Sequence, residues 1–285
     1  MKFLFWNINK KDLSDTIIEI CQENDIDILG ICEGKELDKN NIIKKLSFKE
    51  VFLLSNLKDR GIKLFCKKNI NMKVNTENNS YHKEYSLLIE NINYKILLLH
   101  LPSKLRLDNI SQSQFATRFR EILKGINYQG KKTIIFGDFN MNPFEEGMIS
   151  SETFHALNSK LITSKIQREV YGEKRYYFYN PTWFLYAKSH NEIIGSYYYN
   201  SCDFINLFWN MFDQVIISPD LVDNFNFDTF KIIEKTRLRN FCKNGKPNEV
   251  TYSDHLPIFF EFNFNIREEK NNGLEIWKKN NWYGE

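Results

Sequence analysis

A carboxylate and an amide stand two residues apart near the middle of the chain, directly after a run of apolar residues. Residues 133–136 are β-branched or aromatic, the pattern of a strand buried on both faces, and the run stops at Gly137. Asp138 and Asn140 follow with the spacing that places two side chains on the same side of an extended backbone. Pro143 then directs the chain into a loop. The stretch predicts either active-site groups mounted at a strand end or an Asp/Asn turn after a core strand.

Other predicted strands also carry polar or titratable side chains at one end. These side chains are Asn7, Glu33, His100, Asp213, Asp254 and His255. A carboxylate at the end of a buried strand is costly unless it is paired or bound to a metal, although Glu33 is equally consistent with a surface residue beside Lys35. Oxygen ligands suit Mg²⁺ or Mn²⁺, and the lack of suitably spaced His and Cys disfavours zinc. A divalent cation with histidines and carboxylates is equipment for hydrolysing phosphate esters.

The elements that must position these groups are short apolar strands and two helices. Strands are predicted at residues 3–6, 27–32, 49–54, 62–66, 72–74, 85–90, 94–99, 133–136, 211–218 and 258–264. Apolar residues at helical spacing predict helices over residues 12–24 and 109–126. Residues 75–83 are predicted to form a polar loop, in which His82 is expected to be solvated.

The least regular part of the chain, residues 145–210, is rich in aromatic side chains. It contains the run 176–183, which ends in Trp183, and three consecutive tyrosines at 197–199. Aromatic residues at this density are expected in a core or on a sheet surface. The alternative is a platform on which a base or sugar stacks, a mode of binding single-stranded nucleic acid.

Composition indicates one large core. Of the 285 residues, 42% are hydrophobic and 15% aromatic, and the 12 glycines and 6 prolines leave no linker-like tract. We therefore predict a single catalytic domain over residues 1–266, followed by a charged and polar tail over residues 267–285.

The cysteines and the amino terminus predict the compartment. Five cysteines form an odd set without a CxxC pair, which argues against a disulfide framework and indicates a reducing environment. The first apolar run is too short for a signal peptide, and no later window reaches membrane-spanning length. We expect a soluble, cytoplasmic protein without a membrane partner.

Basic residues are concentrated in one stretch. The formal net charge of +3, from 39 basic and 36 acidic residues, is too balanced to indicate an anionic partner by itself. Residues 231–247, however, hold six basic residues against the single acidic residue Glu234. Such a run is either a solvated face or a surface that contacts phosphates.

Six short motifs containing these polar residues follow one another along the chain. They are Trp6-Asn7, Glu33 after the second strand, His100-Leu101-Pro102, Gly137-Asp138-Phe139-Asn140, Phe212-Asp213 and Ser253-Asp254-His255-Leu256-Pro257. In these motifs and in their order, over nearly its whole length, the sequence resembles the endonuclease/exonuclease/phosphatase superfamily. The resemblance implies an α/β (α+β) fold like that of deoxyribonuclease I. In that fold two packed mixed β-sheets are flanked by helices in a four-layer α/β/β/α sandwich, and the active site lies at one end of the sheets.

The resemblance also implies roles for the metal and the attacking water. Glu33 would be the principal ligand of Mg²⁺ or Mn²⁺, assisted by Asn7 and Asp254. Asp138 would orient or deprotonate the water. Asn140 would fix that water and donate a hydrogen bond to the developing phosphorane.

The histidines and the substrate contacts follow from the same resemblance. His255 would contact the phosphate or act as a base, with Asp213 holding its imidazole in one tautomer. His100 would act on the leaving group, as in the branch of the family that resembles deoxyribonuclease I and sphingomyelinase. The candidate substrate-binding residues are Lys35, Arg118, Trp183, Arg237 and Arg239.

Two positions depart from the family's pattern. Asn9 stands where the abasic-site enzymes carry a carboxylate, which argues against a metal ligand there. Cys32 precedes Glu33 where glutamine is common, so a hydrogen bond expected near the metal lacks its usual donor. Lys35 fits the variant in which a lysine follows the glutamate by two residues and tethers its carboxylate.

The leading hypothesis is therefore a Mg²⁺- or Mn²⁺-dependent phosphodiesterase that acts on nucleic acid as a DNA nuclease. The alternative enzyme is a phosphatase or phosphodiesterase of a small molecule or lipid head group, with the tyrosine-rich segment as its pocket. A catalytically silent binding module with the same fold is a third hypothesis. It predicts that a key polar residue is missing, and none is. The sequence does not predict an oligomeric state.

Overall fold

Two β-sheets pack face to face in the computed structural model, which describes residues 1–52, 61–76, 81–103, 109–125, 128–188, 193–202 and 204–264. Sheet A contains, from edge to edge, β16 (Lys231–Ile232), β19 (Ile258–Glu261), β1 (Lys2–Asn7), β2 (Ile28–Cys32), β4 (Lys63–Lys67) and β3 (Phe48–Glu50). Sheet B contains β5 (Asn71–Thr76), β6 (His82–Ile89), β7 (Ile92–His100), β8 (Thr133–Asp138), β15 (Asp213–Ile217), β12 (Phe178–Tyr179) and β9 (Ala156–Leu157).

Helices and two-stranded ribbons surround the sheets. The helices are α1 (Ser14–Asn24), α2 (Lys39–Leu46), α3 (Asn109–Gly125), α4 (Glu146–Ile149), α5 (Lys160–Thr163), α6 (Thr182–Lys188) and the 3₁₀ helix Pro219–Asn224. The ribbons pair β10 (Gln167–Val170) with β11 (Glu173–Tyr176), β13 (Tyr197–Tyr198) with β14 (Trp209–Asn210), and β17 (Cys242–Lys243) with β18 (Lys246–Pro247).

The central strands are apolar on both faces because each face is covered. In β1, Phe3 and Phe5 enter the core between the sheets, whereas Leu4 and Trp6 enter the core beneath the helices of sheet A. Successive side chains of a strand point to opposite faces, so an unbroken apolar run marks a strand that is covered twice.

The outer faces of the two sheets are covered by different helices. Ile17 and Ile20 of α1 pack on sheet A, and Ala116 and Phe119 of α3 pack on sheet B. The order of layers is therefore helix, sheet, sheet, helix. This confirms the predicted α/β/β/α sandwich.

Gly30 allows the two sheets to approach each other. A Cβ at this position of β2 would lie 2.5 Å from a ring carbon of Phe136 in β8. Because real Cβ atoms do not come so close to a neighbour, a larger residue at this position would force the Phe136 ring or the two strands to shift.

The helices predicted from the sequence are present. The predicted helix over 12–24 is α1, and the one over 109–126 is α3 as far as residue 125, where the described segment ends. The strands predicted at 85–90 and 94–99 correspond to β6 and β7, which are joined in a tight turn by Glu90 and Asn91, both with positive φ.

The prediction for His82 was wrong. His82 is the first residue of β6, is 4% exposed and packs its ring against Phe119 of α3. The polar residues around it gave no sign of this burial, which comes from α3 covering its face of the sheet.

The structure tests several other predictions only in part. The tail predicted at 267–285 and the boundary at 266 lie outside the described residues, so the domain assignment stays a prediction. All five cysteines are free thiols. None of the helices in the described segments combines the length and the apolar character needed to cross a bilayer.

Candidate active site

Strand register in sheet B places three of the predicted site residues in one row. His100 is opposite Asp138 in the parallel pairing of β7 with β8, and Asp213 is opposite Asp138 in the antiparallel pairing of β8 with β15. The imidazole Nε2 of His100 lies 3.9 Å from Asp138 Oδ2. Residues far apart in the chain thus become neighbours because three strand ends meet at one edge.

Sheet A contributes Asn7 and Glu33 at the matching end. β1 and β2 are parallel with Asn7 opposite Cys32, so Glu33 follows directly beside Asn7. The Asn7 side-chain Nδ2 donates a hydrogen bond of 2.9 Å to Asp138 Oδ2. Both residues are buried, so water does not compete for this bond, and it joins the polar ends of the two sheets.

The segment 253–255 is fastened to the end of β1. Ser253 Oγ donates to the Asn7 carbonyl oxygen at 2.6 Å and accepts from the His255 backbone N–H at 3.1 Å. Trp6 Nε1 donates to the His255 carbonyl oxygen at 2.8 Å. These contacts bring His255 to the row formed by His100, Asp138 and Asp213.

His255 and Asp213 form a buried ion pair. The distance from His255 Nδ1 to Asp213 Oδ2 is 2.7 Å, and His255 Nε2 lies 3.9 Å from Asp138 Oδ2. Burial alone would lower the pKa of His255, but the carboxylates of Asp213 and Asp138 outweigh it and raise that pKa to about 10. The imidazole is therefore cationic at neutral pH, with Nδ1–H committed to Asp213.

Asp138 is held as an ionised base. Burial raises the pKa of its carboxyl to about 6, with the positive charge of His255 acting in the opposite direction. Its Oδ1 accepts from the Asn140 backbone N–H at 2.9 Å, and its Oδ2 accepts from Asn7. The carboxylate is thus charged at neutral pH and fixed in orientation.

Asn140 has a left-handed backbone conformation, with φ 52°, which asparagine tolerates better than most residues. Its Nδ2 donates to the Leu101 carbonyl oxygen at 2.9 Å, and its own carbonyl oxygen accepts from Gln112 Nε2 at 2.9 Å. These bonds fix both the side-chain amide and the backbone of Asn140.

Glu33 also has a left-handed backbone, with φ 55°. Its Oε1 lies 3.6 Å from His100 Nε2, and its Oε2 lies 3.7 Å from the exposed ammonium of Lys10. No hydrogen-bond donor within the described segments reaches the buried Oε2. A buried carboxylate oxygen without a donor is costly unless a cation completes it.

The turn at Glu33 depends on close packing against Gly61. The Gly34 backbone N–H donates to the Gly61 carbonyl oxygen at 2.8 Å. Gly61 has φ +81°, and a Cβ there would lie 2.9 Å from the carbonyl carbon of Glu33. The absence of a side chain at Gly61 therefore permits the turn that presents Glu33 to the site.

The donor set fits a hard divalent cation. Glu33, Asn7 and Asp254 offer carboxylate and amide oxygens. Glu33 Oε2, which no hydrogen-bond donor of the described segments reaches and which has the exposed Lys10 ammonium at 3.7 Å, is suited to a cation. Ligand atoms of Asp138, Asp213 and His255 also lie within 4.8 Å of one another. Asp213 and His255 already neutralise each other, so Glu33 is the better centre for a metal.

The predicted substrate-binding residues fall at different places. Lys35 is exposed in the turn after Glu33. Arg118 is exposed on α3, with its guanidinium 5.5 Å from the Phe115 ring centroid. Trp183 is half-buried on α6 against Phe144. The role of these three residues in substrate binding stays a prediction.

The structure does not bring Arg237 and Arg239 to the site. Arg239 forms an ion pair with Glu19, and the Arg237 backbone N–H donates to Glu23 at 2.9 Å. Both glutamates lie in the second half of α1, which runs away from the end of β1 that carries Asn7. Glu19 thus pairs with the Arg239 guanidinium, whereas the contact of Arg237 with Glu23 is made by its backbone.

Several residues beside the site were not predicted. Tyr197 packs its ring 4.7 Å from that of His255. Asn142 accepts from the Met211 backbone N–H at 2.9 Å and so ties the loop after β8 to the chain that leads into Asp213. Asn142 continues the alternation of Asp138 and Asn140, which was a usable signal. Tyr197 belongs to the tyrosine run noted in the sequence, but its contact with His255 was not predicted, because the two residues lie far apart along the chain.

Solved structures with the same fold were found by comparison. Truncated TDP2 from Caenorhabditis elegans is 19% identical with a TM-score of 0.56, covering 92% of this chain and 96% of that one. An AP endonuclease from Archaeoglobus fulgidus is 14% identical with a TM-score of 0.55, covering 92% and 99%. D. rerio TDP2 complexed with a single-strand DNA product is 13% identical with a TM-score of 0.52, covering 92% and 98%. At these identities the likeness shows the fold alone.

The family is shown by the sequence itself. The profile of the Endonuclease/Exonuclease/phosphatase family matches residues 4–255, from the first strand to His255. The chain belongs to this family, whose nucleases and phosphatases hydrolyse phosphoric esters. No curated protein sequence matches the chain significantly.

Proposed function

We propose that the chain is a Mg²⁺- or Mn²⁺-dependent phosphodiester hydrolase that cleaves DNA. The observation that carries the proposal is the meeting of Glu33, Asp138 and His255 at one end of the sandwich. Glu33 comes from sheet A, Asp138 from sheet B, and His255 from the loop before β19. His100 Nε2 lies within 4 Å of carboxylate oxygens of both Glu33 and Asp138, and His255 Nε2 lies within 4 Å of Asp138 Oδ2.

Three residues act on the attacking water and the phosphate. Asp138, ionised and fixed by two N–H donors, accepts the proton of the water that attacks phosphorus in line with the leaving oxygen. The amide of Asn140 orients this water. The His255 cation, held by Asp213, donates from Nε2 to a phosphate oxygen and stabilises the negative charge of the pentacovalent state.

The remaining residues act on the leaving group and the cation. His100 lies 3.6 Å from Glu33 and 3.9 Å from Asp138, a position from which it would donate a proton to the departing oxygen. A divalent cation held by Glu33, Asn7 and Asp254 would supply charge stabilisation at the phosphoryl and leaving oxygens.

An exposed aromatic ribbon beside the site supports nucleic acid as the substrate. In this ribbon β13 pairs with β14, Tyr197 packs against His255, and the exposed Phe204 lies between the two strands in sequence. The ammonium of Lys246 lies 5.8 Å from the Tyr198 ring centroid. Aromatic side chains next to lysines suit bases and phosphates of a nucleic acid.

The aromatic run at residues 176–183 includes side chains of the core. Tyr177 and Phe178 are 4% and 0% exposed and belong to the core, as one of the two expectations for this region predicted. A nucleic-acid substrate is also in keeping with D. rerio TDP2, a protein of the same fold that binds a single-strand DNA product.

Cleavage of plasmid and single-stranded DNA with Mg²⁺ or Mn²⁺ tests the proposal. Wild type should cleave, a chelator should abolish cleavage, and Asp138→Asn and His255→Ala should each lower kcat by roughly 10²-fold or more. Asp223→Asn is the matched control. Asp223 lies on the 3₁₀ helix after β15, and its exposed carboxylate pairs with Lys160.

Two results would count against the proposal. Cleavage by Asp138→Asn at the wild-type rate would remove the site from the reaction. Turnover of small phosphate esters or lipid head groups without any attack on DNA would instead identify the alternative hydrolase.

A further inference from the structure

The ammonium of Lys11 lies among backbone carbonyl oxygens of the turn that precedes Asp254 and His255. It donates to the carbonyl oxygens of Glu249 and Tyr252 and lies 3.3 Å from that of Val250. Lys11 itself is half-buried. A lysine side chain is usually solvated, so three carbonyl partners on one segment mark a built contact.

The internal hydrogen bonds of the turn explain why these carbonyls are available. The backbone N–H groups of Thr251 and Tyr252 both donate to the Asn248 carbonyl oxygen, at 3.2 Å and 2.8 Å. The carbonyl oxygens of Glu249, Val250 and Tyr252 converge on the Lys11 ammonium. Converging carbonyl dipoles repel one another unless a cation lies between them, as with carbonyl oxygens that replace the hydration shell of K⁺.

We propose that Lys11 is a positioning residue, whose ammonium clamps the turn at 249–252 and thereby holds Asp254 and His255 against Asn7. The inference rests on the proposed function, because it assigns a role within that site. Trp6 and Ser253 fasten the segment 253–255 from its buried side. Lys11 fastens the preceding turn from the outer side, four residues after Asn7 on the same loop.

A second lysine provides a matched control. Lys49 donates from Nζ to the carbonyl oxygens of Ile70 at 2.7 Å and Lys68 at 3.4 Å, so it also clamps a turn through its carbonyls. Lys49 is in β3, opposite Cys66, which pairs with Ile28 at the start of β2. This turn therefore lies at the other end of sheet A from Glu33.

The test compares Lys11→Met with Lys49→Met in metal-loaded DNA cleavage. Lys11→Met should lower kcat by about tenfold or more while KM stays within about twofold, because the reacting groups are displaced and the substrate contacts are kept. Lys49→Met should leave both constants near the wild-type values. A raised KM with unchanged kcat in Lys11→Met would overturn the proposal and make Lys11 a substrate contact.

Two further measurements separate positioning from general stability. Lys11→Arg, which keeps a cation and several donors, should recover part of the lost kcat, and K⁺ or methylammonium should recover part of it in Lys11→Ala. Equal losses of kcat in Lys11→Met and Lys49→Met, at equal losses of thermal stability, would overturn the proposal.

A readout without activity keeps the inference distinct from the proposed function. The NMR signals of the His255 imidazole should shift in Lys11→Met and stay unchanged in Lys49→Met. If wild type cleaves no DNA, the proposed function fails while this comparison still decides the role of Lys11. Unchanged His255 signals in Lys11→Met would reject the positioning role.

Discussion

His255 and His155 are both buried and both packed against a tyrosine ring, yet their surroundings favour opposite charges. His255 is 6% exposed and its ring centroid lies 4.7 Å from that of Tyr197. His155 is 2% exposed and its ring centroid lies 4.2 Å from that of Tyr177. By burial and aromatic contact alone the two histidines would be indistinguishable. The two histidines differ in the atoms that face their ring nitrogens.

The partners of His155 require a neutral ring. Its Nδ1 lies 3.2 Å from the Tyr176 carbonyl oxygen, which only accepts, and its Nε2 accepts from Arg168 Nε at 3.1 Å. Burial lowers the pKa of His155 to about 4, and the positive charge of Arg168 acts in the same direction. His155 thus has a structural role: it links the start of β9 to the β10–β11 ribbon.

The partners of His255 require a cation. Asp213 accepts from Nδ1, and Asp138 lies beyond Nε2, so two carboxylates reverse the effect of burial. The comparison teaches that burial makes the charge state of a histidine sensitive to its partners, and the partners decide its sign. It also shows why only one of these two histidines can act on a phosphate.

The largest expected effect comes from removing the charge that holds His255. Asp213→Asn keeps the shape of the side chain but leaves the imidazole without its counter-charge, so the pKa of His255 should fall. We expect kcat for DNA cleavage to drop by about 10²- to 10⁴-fold. Steady-state kinetics and NMR titration of the imidazole, with Asp223→Asn as control, measure both changes. Activity near wild type, with His255 still protonated above neutral pH, would contradict the role given to Asp213.

The second effect is a pH dependence of stability that belongs to His155. Its pKa in the folded chain is about 4, below the ordinary value of 6.5, so the unfolded chain binds this proton more readily. Its contribution is complete above about pH 6.5 and is lost as the pH falls towards about 4. His255, whose pKa is raised, has the opposite sign: its contribution is present below the ordinary value and is lost as the pH rises towards about 10.

Urea unfolding at about pH 7 and about pH 5 measures the His155 contribution. Wild type should lose roughly 2 kcal/mol more of its free energy of unfolding between these pH values than His155→Gln loses. The comparison uses the change with pH and not the absolute stability of the variant, so any packing defect of glutamine cancels. Equal losses in the two proteins would mean that His155 is not held neutral.

The sequence predicted the fold where local pattern and burial coincide. Unbroken apolar runs at 3–6 and 133–136 mark strands covered on both faces, and both proved central. His82 was missed because its burial comes from α3 and β7, which no pattern around residue 82 records. Short ribbons such as β17 with β18 have too few residues to produce a periodic signal.

The candidate site was predicted as far as it consists of polar residues at strand ends. His100, Asp138 and Asp213 were found in this way, although their common row depends on strand register, which the sequence does not record. The basic run gave no sign that Arg239 pairs with Glu19, because Glu19 is on a helix at the opposite end of the chain. Lys11 was missed because its partners are backbone carbonyls, which every residue carries.

The smallest effect tests whether burial or charge keeps His155 neutral. Arg168→Gln removes the positive charge but retains an N–H donor for Nε2, so the pKa of His155 should rise by less than about one unit, because burial is the larger cause. Lys174→Gln, at an exposed position of the same ribbon, is the control. NMR titration of the imidazole provides the measurement. A rise to the ordinary value of 6.5 would make the guanidinium the main cause, and both histidines would then be governed by charge alone.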